Sequence, residues 1–257
     1  MEVIIKNNYS EMSLYAAQIV ANKIRTKPKT VLGLATGSTP LGLYNELIKL
    51  HKIEGLDFSN VISFNLDEYV GLSKDHPQSY KNFMDNKLFS KINIKQKNIH
   101  IPNGNSFKNK EWDKYELLIK SYDGIDLQIL GVGSTGHIAF NEPTSSLGSR
   151  TRIKTLTQKT VTDNARFFDN IIDVPKFVIT MGVGTIMEAK KILLLASGDS
   201  KAEPIAKAIE GPISSMCTAS AIQMHPNTIV IIDEAAAKFL KEKDYYKWVY
   251  SNKKNLN

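Results

Sequence analysis

Ile125-Asp-Leu-Gln-Ile-Leu130 runs straight into Gly131-Val-Gly-Ser-Thr-Gly-His-Ile-Ala-Phe-Asn-Glu-Pro143, and this stretch decides how the chain is read. Six mostly apolar residues closed by a glycine have the length and composition of a buried strand. Three glycines in the next six positions let the backbone turn sharply and approach a ligand closely. The turn delivers one imidazole, His137, and five residues later one carboxylate, Glu142. A histidine and a glutamate at a strand end suit proton transfer, because imidazole exchanges protons near neutrality. A tight turn with two solvated polar side chains is the plainer reading of the same residues.

Working outward, six further segments have strand character: Glu2–Ile5, Thr30–Ala35, Val61–Leu66, Lys176–Met181, Lys191–Ala196 and Thr228–Ile232. Between them, amphipathic spacing predicts helices over Ser10–Ile24, Pro40–Ile53, Tyr80–Leu88, Lys110–Ser121, Gln158–Phe167 and Ala202–Ile209. Strands alternating with helices imply an α/β fold: a single-domain, mostly parallel, twisted open sheet flanked by helices, Rossmann-like. No repeat or Pro/Ser-rich linker divides it. We therefore expect one domain over residues 1–243 and a tail over 244–257 that frays or packs on a neighbour. In open α/β sheets ligands bind beyond the carboxyl ends of strands. Sequence motifs leave such ends after Ala35, Leu66 and Gly131, which predicts one composite site.

Composition narrows the classes. At 257 residues and 42% apolar content the chain is long enough for a sizeable core. No apolar run approaches the roughly 18 residues of a membrane span. Met1-Glu-Val-Ile-Ile-Lys lacks the form of a signal peptide, and one cysteine, Cys217, excludes an internal disulfide. A cytoplasmic location is expected. No Cys/His spacing suggests a metal. The net charge of +7 is spread along the chain without interleaved aromatics, so neither nucleic acid nor membrane is an expected partner, and much of the surplus reads as solvated surface lysine.

Thr36-Gly-Ser-Thr-Pro40 joins a strand to a helix. Ser38 or Thr39 can cap that helix, and Pro40 suits its first turn. Amides at such a start attract phosphate, although an ordinary capped turn has the same composition. Lys201 follows Gly198-Asp-Ser200 at a second strand-to-helix turn, where Ser200 and Glu203 have capping-box spacing. In Asp67-Glu68, neighbouring carboxylates of an extended chain face opposite ways, so one of them reaches a site there.

Taken together, Leu32-Gly-Leu-Ala-Thr-Gly-Ser-Thr-Pro40, Phe64-Asn-Leu-Asp-Glu-Tyr-Val-Gly-Leu72 with His76-Pro-Gln-Ser-Tyr80, the His137 segment, Ser149-Arg-Thr-Arg-Ile-Lys-Thr-Leu156, Asn164-Ala-Arg-Phe-Phe168 and Met181-Gly-Val-Gly-Thr185 resemble the glucosamine-6-phosphate deaminases. The likeness extends from about residue 2 to about residue 243. It implies an enzyme that converts glucosamine 6-phosphate to fructose 6-phosphate and ammonia without a cofactor. It further implies that Thr36, Gly37, Ser38, Thr39, Arg166 and Lys201 hold the sugar phosphate. Asp67 would be the base moving a proton between C2 and C1, with Glu68 in support. His137, oriented by Glu142, would open the sugar ring, and the segment around Leu156–Phe168 would close over it. Thr135 departs from the pattern of the family, many of whose members carry aspartate there and some asparagine; threonine offers only a neutral hydroxyl and a shorter reach.

Ser145, Arg152, Lys154 and Thr155 match positions where some members bind N-acetylglucosamine 6-phosphate as an activator between subunits of a hexamer, so a homo-oligomer is expected. Arg-x-Lys on an exposed strand would put both cations on one face. A gapless register puts Lys247, next to Tyr246, where that activator site has a tyrosine. Two rivals remain: a phosphosugar sensor without catalysis, and a 6-phosphogluconolactonase, which shares the fold.

Overall fold

The computed structural model describes residues 1–105 and 111–253. Its strands are β1 (Glu2–Lys6), β2 (Val31–Leu34), β3 (Ile62–Asn65), β4 (Asp67–Tyr69), β5 (Ile99–His100), β6 (Leu127–Leu130), β7 (Arg152–Thr155), β8 (Phe177–Thr180), β9 (Ile192–Ala196) and β10 (Thr228–Asp233). The helices are α1 (Tyr9–Thr26), α2 (Leu41–Glu54), α3 (Tyr80–Lys87), α4 (Glu111–Ser121), α5 (Gln158–Asn164), α6 (Val183–Met187), α7 (Ala202–Ile209) and α8 (Lys243–Lys253). Seven strands form one parallel sheet in the order β1-β10-β9-β6-β2-β3-β5.

Apolar runs make these strands because both faces of the sheet are covered. Along β9, Ile192, Leu194 and Ala196 join one core cluster, while Leu193 and Leu195 join the other. In β10, Val230 and Ile232 alternate with Ile229 and Ile231 in the same way. One face packs on α1, which buries Met12, Ala16, Ala17, Val20, Ala21 and Ile24 at helical spacing. Asn8 starts that helix by accepting the Glu11 N–H at 3.0 Å. The other face meets Tyr115 and Ile119 of α4 and Ile205, Ala208 and Ile209 of α7. Each of the buried Val, Leu, Ile and Met side chains contributes about 1.5–3 kcal/mol of burial free energy.

Three expectations change. The Lys176–Met181 segment forms β8, but it sits outside the parallel sheet, in a small antiparallel sheet of order β4-β8-β7. Asp67 and Glu68 lie within β4, paired to β8 through Asp67 and Thr180. The tail forms α8 from Lys243 and packs on β1, with Tyr250 edge-on to Tyr15 and its hydroxyl accepting from the Lys6 Nζ at 2.8 Å. Lys110, the expected first residue of α4, and tail residues 254–257 lie outside the described residues.

Candidate active site

The β2, β3 and β6 ends open on a cavity of about 300 Å³. Thr36–Thr39 line it from β2, Leu66 and Asp67 from β3–β4, and Gly131–Gly133 and His137 from β6. Arg166 and Lys201 also line it. The three strand-end motifs and both cations therefore meet in one place.

The Thr36–Thr39 loop is not closed by its own hydroxyls. Helix α2 starts from Pro40 with no side-chain cap. Instead the Tyr9 hydroxyl donates to the Thr39 carbonyl at 3.0 Å and accepts the Gly42 N–H at 2.7 Å. Tyrosine from α1 does the capping, which leaves Ser38 and Thr39 hydroxyls available to a ligand. Nor does the expected box at Ser200 and Glu203 form: a short 3-10 turn over Asp199–Lys201 feeds α7, and Glu203 pairs with Lys207 at 2.6 Å.

Lys201 is half-buried and donates from Nζ to the Val132 carbonyl at 2.8 Å. Burial lowers its pKa, and the neighbouring charge of Arg166 lowers it further. The Arg166 guanidinium lies over the Phe167 ring, 4.7 Å from its centre. Two cations that each raise the cost of the other favour an anion between them.

Asp67 is 5% exposed. Burial, and then the adjacent Glu68, push its carboxyl up to about 8, into the range of a base that works near neutrality. Glu68 faces away and accepts the N–H groups of Tyr69 (2.9 Å), Tyr80 (2.9 Å) and Lys81 (3.0 Å). It thus fastens β4 to the start of α3.

His137 Nδ1 lies 3.1 Å from Glu142 Oε2 and 2.7 Å from Thr135 Oγ1. Glu142 is buried; desolvation alone would raise its pKa, but the His137 contact and the bonds from Thr160 and Thr157 outweigh it and bring it to about 2. An ionised carboxylate only accepts, so Nδ1 carries a proton towards Glu142 and Nε2 is the ring nitrogen left outside this contact. The Thr135 hydroxyl also reaches Glu142 Oε2, at 3.4 Å, which closes a three-membered polar ring. Threonine's shorter side chain therefore does not fail to reach the histidine. Glycine is required at 133, where an added Cβ would stand 2.1 Å from His137 Nε2. Ala139 turns the chain back with φ 49°, a left-handed conformation costing roughly 1 kcal/mol or more in a residue with a Cβ.

The four expected activator residues lie apart from this cavity. Ser145 is 3% exposed and its Oγ has no hydrogen-bond partner. Arg152 and Lys154 share a face of β7, which is half-buried rather than exposed, and Arg152 Nη1 donates to Asn141 Oδ1 at 2.9 Å. Thr155 ends the strand in solvent. Lys247 is paired with Glu234 at 2.5 Å.

Comparison with known proteins follows the same lines. The family model for glucosamine-6-phosphate isomerases/6-phosphogluconolactonase matches residues 7–231. The chain belongs to that family. It is 54% identical over 245 residues to the glucosamine-6-phosphate deaminase of Thermoanaerobacter pseudethanolicus, covering 95% of this chain and 97% of that one. With the Shewanella woodyi glucosamine-6-phosphate deaminase it shares 48% over 257 residues, covering 100% of this chain and 97% of the other. A solved structure of a monomeric glucosamine-6-phosphate deaminase superposes with a TM-score of 0.91 at 48% identity, over 93% of this chain and 99% of that one. The 6-phosphogluconolactonase of Leishmania guyanensis, at 20% identity and a TM-score of 0.69 over 93% of this chain and 98% of that one, shares the fold.

The sequence reading missed the aromatic wall of this family member's site. Tyr69, Tyr80, Phe140 and Phe168 line the cavity, with Tyr69 and Tyr80 ring centres 4.9 Å apart and Tyr80 stacked on Phe140 at 6.1 Å. Asn164 Nδ2 donates to the Tyr69 hydroxyl at 2.9 Å. The available signal was aromatic density within the 64–80 and 164–168 motifs themselves.

Proposed function

We propose that this chain is an enzyme that converts glucosamine 6-phosphate and water to fructose 6-phosphate and ammonia. One observation carries the reading: a single cavity collects a buried carboxyl poised near 8, a histidine oriented by a carboxylate, and a two-cation anion end. The names of the relatives at about half identity support it.

The phosphate is held by Thr36, Gly37, Ser38 and Thr39 with Arg166 and Lys201. His137 Nε2 passes the proton that opens the pyranose, with Glu142 and Thr135 holding the ring tautomer. Asp67 then takes the proton from C2 and delivers it to C1. The C2–H is acid enough because the open chain carries a carbonyl beside it, so no cofactor is required. Water adds to the resulting C2 imine, and ammonia leaves.

A cytoplasmic location belongs to the same proposal; among the described residues no helix is long and apolar enough to cross a membrane. So do a homo-oligomer and a second site for N-acetylglucosamine 6-phosphate at Ser145, Arg152, Lys154 and Thr155. The unpartnered Ser145 Oγ and the shared face of Arg152 and Lys154 support that site.

The test is release of ammonia and fructose 6-phosphate from glucosamine 6-phosphate, with and without N-acetylglucosamine 6-phosphate. We expect turnover in both arms, faster with the acetylated sugar. Absence of ammonia alongside hydrolysis of 6-phosphogluconolactone would sink the deaminase reading; an equal rate in both arms would remove the activator site alone.

A further inference from the structure

Asp163 is an acid in a place that should not favour one. Residues 157–168 close one side of the cavity and supply Asn164, Arg166, Phe167 and Phe168 to its wall. Asp163 sits in this segment, at the cationic end, where its charge acts on the Lys201 ammonium. A carboxylate there repels an incoming phosphate. Its hydrogen bond explains its presence differently: Oδ2 accepts from Ser134 Oγ at 2.7 Å.

Ser134 belongs to the turn that carries Thr135 and His137. The bond therefore runs from the end of α5 to the loop bearing the imidazole. Two other attachments tie the same segment down. Thr157 reaches Glu142 at its start, at 3.3 Å and 3.4 Å, and Asn164 reaches Tyr69 at 2.9 Å. Arg166 comes two residues after this second attachment and is itself exposed. Its placement depends on what the segment is tied to.

We propose that Asp163 and Ser134 are positioning residues. Their hydrogen bond sets the spacing between the segment holding Arg166 and the loop holding His137. One sugar must be gripped by its phosphate at one end and approached by the imidazole at the other, so a loose spacing costs binding and orientation together. This rests on the deaminase reading.

The two effects of Asp163, its charge and its bond, have opposite signs on substrate binding, and substitutions separate them. Asp163→Ala loses both. Asp163→Asn keeps an acceptor oxygen and loses the charge. Losing one exposed hydrogen bond should raise KM about fivefold in Asp163→Ala and in Ser134→Ala, with kcat changed less. The double variant should be no worse than the poorer single one, because the same bond is removed. KM of Asp163→Asn should stay at or below the parent value. Melting temperatures should agree within about 1 °C, since both side chains lie at the surface. Calorimetric affinity for inorganic phosphate should follow the same order, and it reads the placement of Arg166 even if no ammonia is released. The proposal is overturned if Asp163→Ala binds more tightly alongside Asp163→Asn, or if the two single losses multiply in the double variant.

Discussion

The Asp67 carboxyl is buried beside a second carboxyl, and it keeps its proton up to about pH 8. Unfolded, the same group titrates near its ordinary value of 3.8. Between these values the folded chain holds a proton that the unfolded chain has released, so stability falls as pH rises through that window and levels off above it. Asp67→Asn removes this cost. It should melt higher than the parent at about pH 7.5, by at least roughly 5 °C, and the two should converge towards about pH 4. The same substitution should lower kcat about 10²–10⁴-fold, because no base remains to move the C2 proton. A variant that is more stable and nearly inactive is the signature of a carboxylate kept for chemistry. Equal melting curves across the pH range would remove the argument for a poised base. His137 and Glu142 show the opposite arrangement: there the carboxylate is held ionised by its partners, which suits an orienting role rather than proton exchange.

Glu68 works at the level of elements. Three backbone N–H groups converge on it from β4 and the first turn of α3, and Ser79 caps the same helix by accepting the Asn82 N–H. Glu68→Gln puts an amide NH₂ where one of these donors points. It should destabilise the fold by about 1–3 kcal/mol and raise KM, because Tyr80, a wall of the cavity, leads α3. Thermal melts with substrate kinetics check both; an unchanged KM would detach α3 from the site. The long elements were legible because burial on both faces leaves continuous apolar runs, as in Ile192-Leu-Leu-Leu-Ala196, and amphipathic spacing, as in α1. The short ones were not. β5 has two residues, α6 has five, and β4 is Asp-Glu-Tyr, whose strand character comes from pairing with β8 rather than from its side chains. The site followed the same division. His137 and Glu142 stood out from their own turn, whereas Asp67, Arg166 and Lys201 were marked by the resemblance to the family, since alone they read as capping or surface residues. The Tyr9 cap and the aromatic wall arise from contacts between distant segments, and no local pattern encodes them.

At the scale of the whole molecule, the sheet has β1 at one edge, and an uncovered edge strand is open to pairing with another chain. Helix α8 lies beside β1. Its exposed face is polar and aromatic, but Lys253 pairs with Glu2 at 2.7 Å, Lys247 pairs with Glu234 at 2.5 Å, and Lys6 stands 4.5 Å over the Tyr250 ring. The surface ion pairs contribute little individually, so most of the attachment energy comes from Tyr250 against Tyr15 and Tyr246 against the core. We place the domain boundary at residue 243, with 244–257 as an appended segment, and truncation tests it. Among the described residues, none that lines the cavity lies beyond Lys201, so we expect the segment to support the fold from the far edge without contributing to the reaction. Deleting residues 244–257 should cost about 1–3 kcal/mol, or roughly 2–10 °C in melting temperature, with KM for glucosamine 6-phosphate unchanged. The truncated chain should also associate more readily at high concentration as β1 loses its cover, which sedimentation velocity would detect. A truncation that melts like the parent but loses activity would reverse the assignment, tying the last helix to the site rather than to the sheet edge.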